Sequence, residues 1–270
     1  MVKDWINIQR PLFGVFLETH IHSSNEARIR SAIPVGWKFF GNYGQNISGR
    51  IVVVWDPSVS VFIYKASAQA VTCGIHILAQ SLTFTVTFVY GFNEVGERMA
   101  LWKELEQINR TPAMSNSPWA VIGDFNQILR LSHHSGYPTR VIDDDGMEDM
   151  NIALQDSELF EAQSKGAPFT WWNNNEVNPI SKRIDHALIN QLWATRFPDS
   201  YADFLDPGQS DHSPYIRALL TRPDPVAARE EHQERATLNI LLNAEQKFYR
   251  QKSRVRWADV GDRNTTFYHQ

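Results

Sequence analysis

From its start to about residue 222 the chain repeats one theme: a short apolar, β-branched or aromatic run that stops abruptly at a polar cluster. Such runs predict buried strands. The clearest are Phe13-Gly-Val-Phe-Leu17, Ile51-Val-Val-Val-Trp55, Val59 to Tyr64, Ala70 to Ile77, Leu82 to Tyr90, Trp119-Ala-Val-Ile122 and Ile184 to Ile189. Apolar residues spaced by three and four predict helices over Val95 to Asn109 and Met147 to Leu159. Strands outnumber helices, and those at 51–64 and 70–90 follow one another through short turns. That order predicts a sheet-on-sheet core flanked by helices and not a regular βαβ alternation. Arg222-Pro-Asp-Pro225 breaks the pattern, because two prolines in three residues oppose both helix and central strand. Beyond it, Val226 to Arg250 reads as an Ala-, Glu-, Gln- and Arg-rich helix.

Composition bounds this picture. With 270 residues, 43% of them hydrophobic, the chain can bury a substantial core, and one globular domain with an appendage fits. No long-period repeat recurs, which sets solenoids aside. Cys73 is the single cysteine, so no internal disulfide or cysteine-based zinc site can form; a reducing intracellular compartment is expected. The first ten residues interleave charge with apolar positions, unlike a signal peptide, and no segment reaches the roughly 18 apolar residues of a membrane span. The sequons at Asn46 and Asn264 therefore read as chance. The net charge of −4 is uneven: residues 226–270 hold 8 Lys/Arg against 6 Asp/Glu, leaving 18 against 24 in the first 225. An acidic body argues against a protein that coats nucleic acid, but not against an enzyme that meets phosphate through a carboxylate-bound cation. Lys247 to Arg256 carries five basic residues, read either as a solvated helical face or as a nucleic-acid contact.

Carboxylates at strand ends are the informative chemistry, because an acid there sits on a rigid element at the rim of the core. In Gly123-Asp124-Phe125-Asn126, a continuing strand would put Asp124 and Asn126 on the same side; an Asp/Asn turn is the plainer alternative. In Ser210-Asp211-His212, adjacent residues point to opposite faces, so a different carboxylate must orient the imidazole if it is a base. Asp185, in Arg183-Ile-Asp185-His186, either pairs with Arg183 or hydrogen-bonds a catalytic group, since an unpaired carboxylate in an apolar strand is costly. Glu18 closes the Phe13 to Leu17 strand and is a hard ligand suited to Mg²⁺. His20 and His22 beside it suggest zinc only weakly, for want of a third nitrogen ligand. Tyr90 ends its strand as a core tyrosine with its hydroxyl at the rim. The acids of Asp143 to Asp149 fit the start of a helix, complementing its dipole, better than a metal cluster. Nucleophile elbows, Walker loops, dinucleotide fingerprints and His-Glu-x-x-His are missing from the sequence.

Taken in chain order, Leu17-Glu18-Thr19, Val89-Tyr90-Gly91, Gly123-Asp124-Phe125-Asn126, Phe169-Thr170-Trp171, Arg183-Ile-Asp185-His186 and Ser210-Asp211-His212 resemble the endonuclease/exonuclease/phosphatase superfamily. Each motif is weak and six in order are strong. Arg10-Pro-Leu-Phe-Gly-Val15 and Trp171-Trp172-Asn173 resemble the endonuclease domain of plant non-LTR (LINE-type) retrotransposons. Residues 248–257 and 261–269 resemble the linker before the reverse transcriptase of such elements. The resemblance implies a four-layer α/β/β/α sandwich over residues 1–222 with a helical linker at 223–270. It also implies Mg²⁺-assisted, or Mn²⁺-assisted, phosphodiester hydrolysis on DNA in the nucleus, with a reverse transcriptase domain in the parent element. Glu18 and Asp211 would hold the metal, and His212, oriented by Asp185, would act as base or stabilise the transition-state charge. Asp124 would position the attacking water, with Asn126, Tyr90, Thr170 and Ser210 organising the phosphate. The family opens with an Asn-bearing strand, whereas Val2-Lys-Asp-Trp-Ile6 resembles the helix after it. The chain is therefore expected to be truncated at both ends and to have weak or no activity. An inactive retroelement remnant and a phosphomonoesterase of the same fold are the alternatives.

Overall fold

A computed structural model describes residues 2–205 except 48, 143, 144 and 176. Ser210, Asp211, His212, the helix expected over 226–250 and the basic stretch 247–256 lie outside the described residues.

In chain order the elements are α1 (Val2–Gln9), β1 (Phe13–Leu17), α2 (Glu26–Ala32), β2 (Lys38–Gly41), β3 (Ile51–Trp55), β4 (Val59–Ala66), β5 (Ala70–Ile77), β6 (Leu82–Tyr90), α3 (Val95–Asn109), α4 (Pro112–Ser115) and β7 (Trp119–Asp124). They continue with α5 (Met147–Asp156), β8 (Phe160–Glu161), β9 (Ser164–Gly166), β10 (Trp171–Trp172), β11 (Ser181–Lys182), β12 (Asp185–Ile189), α6 (Gln191–Arg196) and β13 (Ala202–Phe204). The two main sheets run β1-β3-β2, all antiparallel, and β4-β5-β6-β7-β12-β8, antiparallel except for β6 beside β7; β10 with β11 and β13 with β9 form two-stranded pairs.

Strand periodicity sorts the apolar residues into layers. Ile51, Val53 and Trp55 of β3 pack with Phe84, Val86 and Phe88 of β6 and with Val71, Cys73 and Ile75 of β5, filling the space between the sheets. Val52 and Val54 point the other way, onto Ile6 of α1 and Ile29 of α2. On the far side of the larger sheet, Val89, Val121 and Leu188 meet Leu101, Trp102 and Leu105 of α3 and Met150 and Leu154 of α5. Helices, sheet, sheet, helices: this is the four-layer sandwich expected. β3 has no polar position because both its faces are covered.

Expected boundaries hold at β1, β3, β5, β6 and α3, and shift where local backbone geometry intervenes. Over Val2–Gln9 the expected N-terminal helix is present. The helix expected to reach Leu159 ends at Asp156, because Glu158 turns left-handed at φ +55° and Leu159 re-enters the core beyond the break. β7 continues to Asp124 but not to Asn126, whose φ is +49°; the alternation expected to pair the two side chains stops between them. β2, α2, α6 and the short strands β8–β11 and β13 had no periodicity long enough to announce them.

Candidate functional site

Three cross-strand neighbours form a row at one end of the larger sheet. Tyr90 of β6 lies beside Asp124 of β7, and Asp124 lies beside Asp185 of β12. Residues directly opposite on paired strands share a face. Tyr90 continues the face of Phe84, Val86 and Phe88, so the row looks into the seam between the sheets. All three residues are buried.

The smaller sheet supplies the other wall. Glu18, just past β1, accepts a 2.5 Å hydrogen bond from the Tyr90 hydroxyl. Arg50, just before β3, donates to the same hydroxyl at 3.2 Å, lies 3.9 Å from the Glu18 carboxylate and stands over the Tyr90 ring at 5.4 Å. Leu17 pairs with Ile51, and that register sets Glu18 and Arg50 side by side. The His20 ring nitrogen Nε2 is 3.2 Å from Arg50. Burial, then the hydrogen bond and charge of Glu18, push the Tyr90 phenol above its ordinary pKa. Tyr90 is thus a hydrogen-bond donor at neutral pH.

The turn after β7 is tightly determined. The Asn126 amide N–H donates to Asp124 Oδ1 at 2.8 Å, and the Asn126 side-chain amide donates to the Gly91 carbonyl at 2.8 Å. The segment is therefore the Asp/Asn turn weighed as the plainer alternative, yet it still brings both side chains to the rim. Gly123 adopts φ +144°, and a Cβ there would collide with the Val89 carbonyl of the neighbouring strand. Arg98, buried on α3, donates to the carbonyls of Phe92 at 2.8 Å and Asn93 at 2.7 Å and to the Gln127 side chain at 2.6 Å. One guanidinium thus ties the loop after β6 to the turn after β7. Burial lowers the Arg98 pKa, and the Asp124 and Glu94 charges oppose that shift.

Thr170 is buried, and its hydroxyl accepts the backbone N–H groups of Ile184 and Asp185, each at 3.1 Å, so it fixes the start of β12. Arg183 ion-pairs with Glu161 at 3.9 Å and donates to Ser164 at 3.1 Å. The structure therefore brings together Glu18, Tyr90, Asp124, Asn126, Asp185 and, through the backbone, Thr170. Sequence reasoning missed Arg50 and Arg98. Arg50 abuts the most apolar strand in the chain, which is a strand-end signal like that of Glu18. Arg98 sits within a helical pattern and carried no signal of its burial.

Three carboxylates and a phenol at a seam between sheets can hold a hard divalent cation and an oxyanion. The family model for endonuclease/exonuclease/phosphatase proteins matches residues 2–212. The chain belongs to the endonuclease/exonuclease/phosphatase family. Solved structures of similar fold include the endonuclease domain of TRAS1, a telomere-specific non-LTR retrotransposon, at 15% identity and TM-score 0.59, covering 78% of this chain and 87% of that one. The 3′ phosphatase NExo from Neisseria, bound to product DNA hairpin, matches at 16% identity and TM-score 0.57, covering 82% and 93%. A mannosyl-6-phosphatase of Bacteroides thetaiotaomicron matches at 11% identity and TM-score 0.51, covering 81% and 89%. No curated protein matches the sequence. No helix among the described residues is long and apolar enough to cross a membrane.

Proposed function

We propose that this chain is a divalent-metal-dependent phosphodiester hydrolase that nicks DNA, an endonuclease of the non-LTR retrotransposon type. The observation that carries this reading is the row Tyr90–Asp124–Asp185, closed from the facing sheet by Glu18. Its donors are oxygens, the set Mg²⁺ prefers and Mn²⁺ accepts, and Glu18, with its side chain 47% exposed, keeps a face toward solvent. A cation held by Glu18 and Asp211 would supply charge stabilisation at the phosphate and the departing oxygen. Within the chain, Asp124 orients the attacking water and His212, held by Asp185, moves a proton. Asn126 has a second amide hydrogen to present to a phosphate oxygen, Tyr90 organises the pocket through its bond to Glu18, and Thr170 and Ser210 shape it. The parent element is then a plant LINE that also encodes a reverse transcriptase, and the enzyme works in the nucleus.

Supercoiled plasmid incubated with the protein and Mg²⁺ tests the proposal. Relaxed circles are expected, suppressed by EDTA and by Asp124→Ala or His212→Ala. Nicking that survives all three refutes it. Release of inorganic phosphate from small esters with the plasmid intact would instead identify a phosphomonoesterase.

A further inference from the structure

On the opposite face of β12 from Asp185 lies a second cluster that the hydrolytic reading does not use. His186 of β12 is fully buried, His133, closing the short helical turn 131–133, is 6% exposed, and Glu161 of β8 completes the group. One ligand atom from each lies within 4.8 Å of the others. The rings of His133 and His186 stack with centroids 5.6 Å apart.

The hydrogen bonding of this cluster is incomplete in a directed way. His186 Nε2 faces the Gln127 carbonyl at 2.9 Å, and since a carbonyl only accepts, Nε2 carries the proton and Nδ1 presents a lone pair. That Nδ1 looks at Glu161 Oε1 from 3.5 Å, so two acceptors face each other. His186 Nδ1, His133 Nδ1 and Glu161 Oε1 are all buried without a hydrogen-bond partner. Such orphaned groups are costly and call for an explanation. A proton between His186 and Glu161 would satisfy two of the atoms and leave His133 Nδ1 alone. A cation satisfies that pair and draws in a ring nitrogen of His133 as well. The 3.5 Å separation of Nδ1 and Oε1 is close to the ~3.3 Å edge of a tetrahedron with metal–ligand bonds of about 2.0–2.1 Å.

We propose that His133, Glu161 and His186 form a binding site for a zinc-class divalent cation, separate from the oxygen-lined site at Glu18 and Asp124. Two imidazoles and one carboxylate are a borderline-soft donor set that selects Zn²⁺ over Mg²⁺. The Gln127 carbonyl supplies the outer hydrogen bond that fixes the tautomer of a ligating histidine. Bound there, the metal clamps the two-residue strand β8 and the 131–133 turn to β12. It also steadies Gln127, the residue after Asn126.

One feature opposes the cation and provides the sharpest test. Arg130 ion-pairs with Glu161 Oε2, and Arg183 lies 3.9 Å from Oε1. The Arg130 side chain is 58% exposed and can leave. Arg130→Ala removes a positive charge that competes for Glu161, so zinc affinity should rise several-fold.

The full chain, stripped with EDTA and dialysed, is titrated with ZnSO₄ by calorimetry and loaded with Co²⁺ for visible spectroscopy. One strong zinc site per chain is expected, with a tetrahedral Co²⁺ band and no thiolate charge-transfer band. Mg²⁺ should not compete. Affinity should fall more than 10-fold in His133→Ala and in Glu161→Gln, and rise in Arg130→Ala. His20→Ala/His22→Ala controls for adventitious binding at the exposed histidines: zinc lost in that variant but kept in His133→Ala overturns the proposal. So does the lack of any zinc binding by wild type, in which case a bridging water or proton fills the cluster. Glu161→Gln is nearly isosteric and keeps the test valid if His133→Ala fails to fold.

Discussion

The Tyr90 hydroxyl donates to the Glu18 carboxylate at 2.5 Å, joining the end of β6 in one sheet to the end of β1 in the other. This bond positions the exposed carboxylate proposed to hold metal, from a tyrosine that is itself buried. Tyr90→Phe keeps the ring and its packing but leaves Glu18 with only the more distant Arg50 to position it. Outer groups that orient metal ligands are typically worth roughly 10–100-fold in affinity or activity. Plasmid nicking should therefore fall by about that factor and need more Mg²⁺, while the unfolding midpoint in urea moves little. An unchanged Mg²⁺ requirement would remove Tyr90 from the site.

Gly123 is a backbone requirement of the same site. It combines φ +144° with direct contact against Val89, so Gly123→Ala must push β6 and β7 apart where Tyr90 and Asp124 are neighbours. Strain of this kind and the lost packing should cost at least ~3 kcal/mol. Urea denaturation followed by tryptophan fluorescence would measure it. Gly14→Ala, at a position where a Cβ meets nothing, is the matched control.

Much of this was legible beforehand for a physical reason. β1, β3, β5 and β6 are long, apolar and abruptly ended, so their limits could be read from the residues. Glu18, Tyr90 and Asp124 are the residues at or just past those ends. Legibility failed where tertiary contacts choose the conformation. Asn126 leaves the strand because its own N–H turns back to Asp124 and its side chain reaches Gly91. Glu161 lies on a two-residue strand that exists only because β12 pairs with it. His133 and His186, 53 positions apart, show no motif spacing, so their meeting is a property of the fold alone.

Arg98 should behave as a positioning residue. It is buried, and its guanidinium satisfies two loop carbonyls and the Gln127 side chain. Arg98→Met leaves those acceptors unpartnered and should destabilise by about 3–5 kcal/mol. Arg98→Lys retains charge without the fork, so it should recover part of the stability. With substrate saturating, the expected activity defect lies in kcat, because the Asp124–Asn126 turn loses its anchor to the Phe92–Asn93 loop. A defect confined to KM would place Arg98 in substrate contact instead.

Cys73 lies in the centre of the inter-sheet core, and burial pushes its thiol up to about 12. The folded state then holds a proton that the unfolded chain releases near pH 9, so this group's contribution to stability falls as pH rises from about 9 toward 12. Iodoacetamide at pH 8 should leave the native thiol unmodified and label it only at the rate of global unfolding. Rapid native labelling would show that the layer between the sheets opens locally.

Metal-induced stabilisation separates the oxygen-lined site from activity altogether. A cation that binds the folded chain raises its Tm by mass action, and Mg²⁺ at millimolar concentration should do so for the EDTA-treated wild type. Glu18 is the described carboxylate proposed to hold the cation, so Glu18→Gln should lose most of the Mg²⁺ shift, whereas Asp124→Asn, at the residue that orients water, should keep more of it. Zn²⁺ should still raise the Tm of Glu18→Gln, because the cluster His133, Glu161 and His186 lies on the opposite face of β12 from Asp185. Scanning fluorimetry with each metal reads both sites in one experiment. If Glu18→Gln loses both shifts, a single site binds both ions; if it keeps both, Glu18 holds neither.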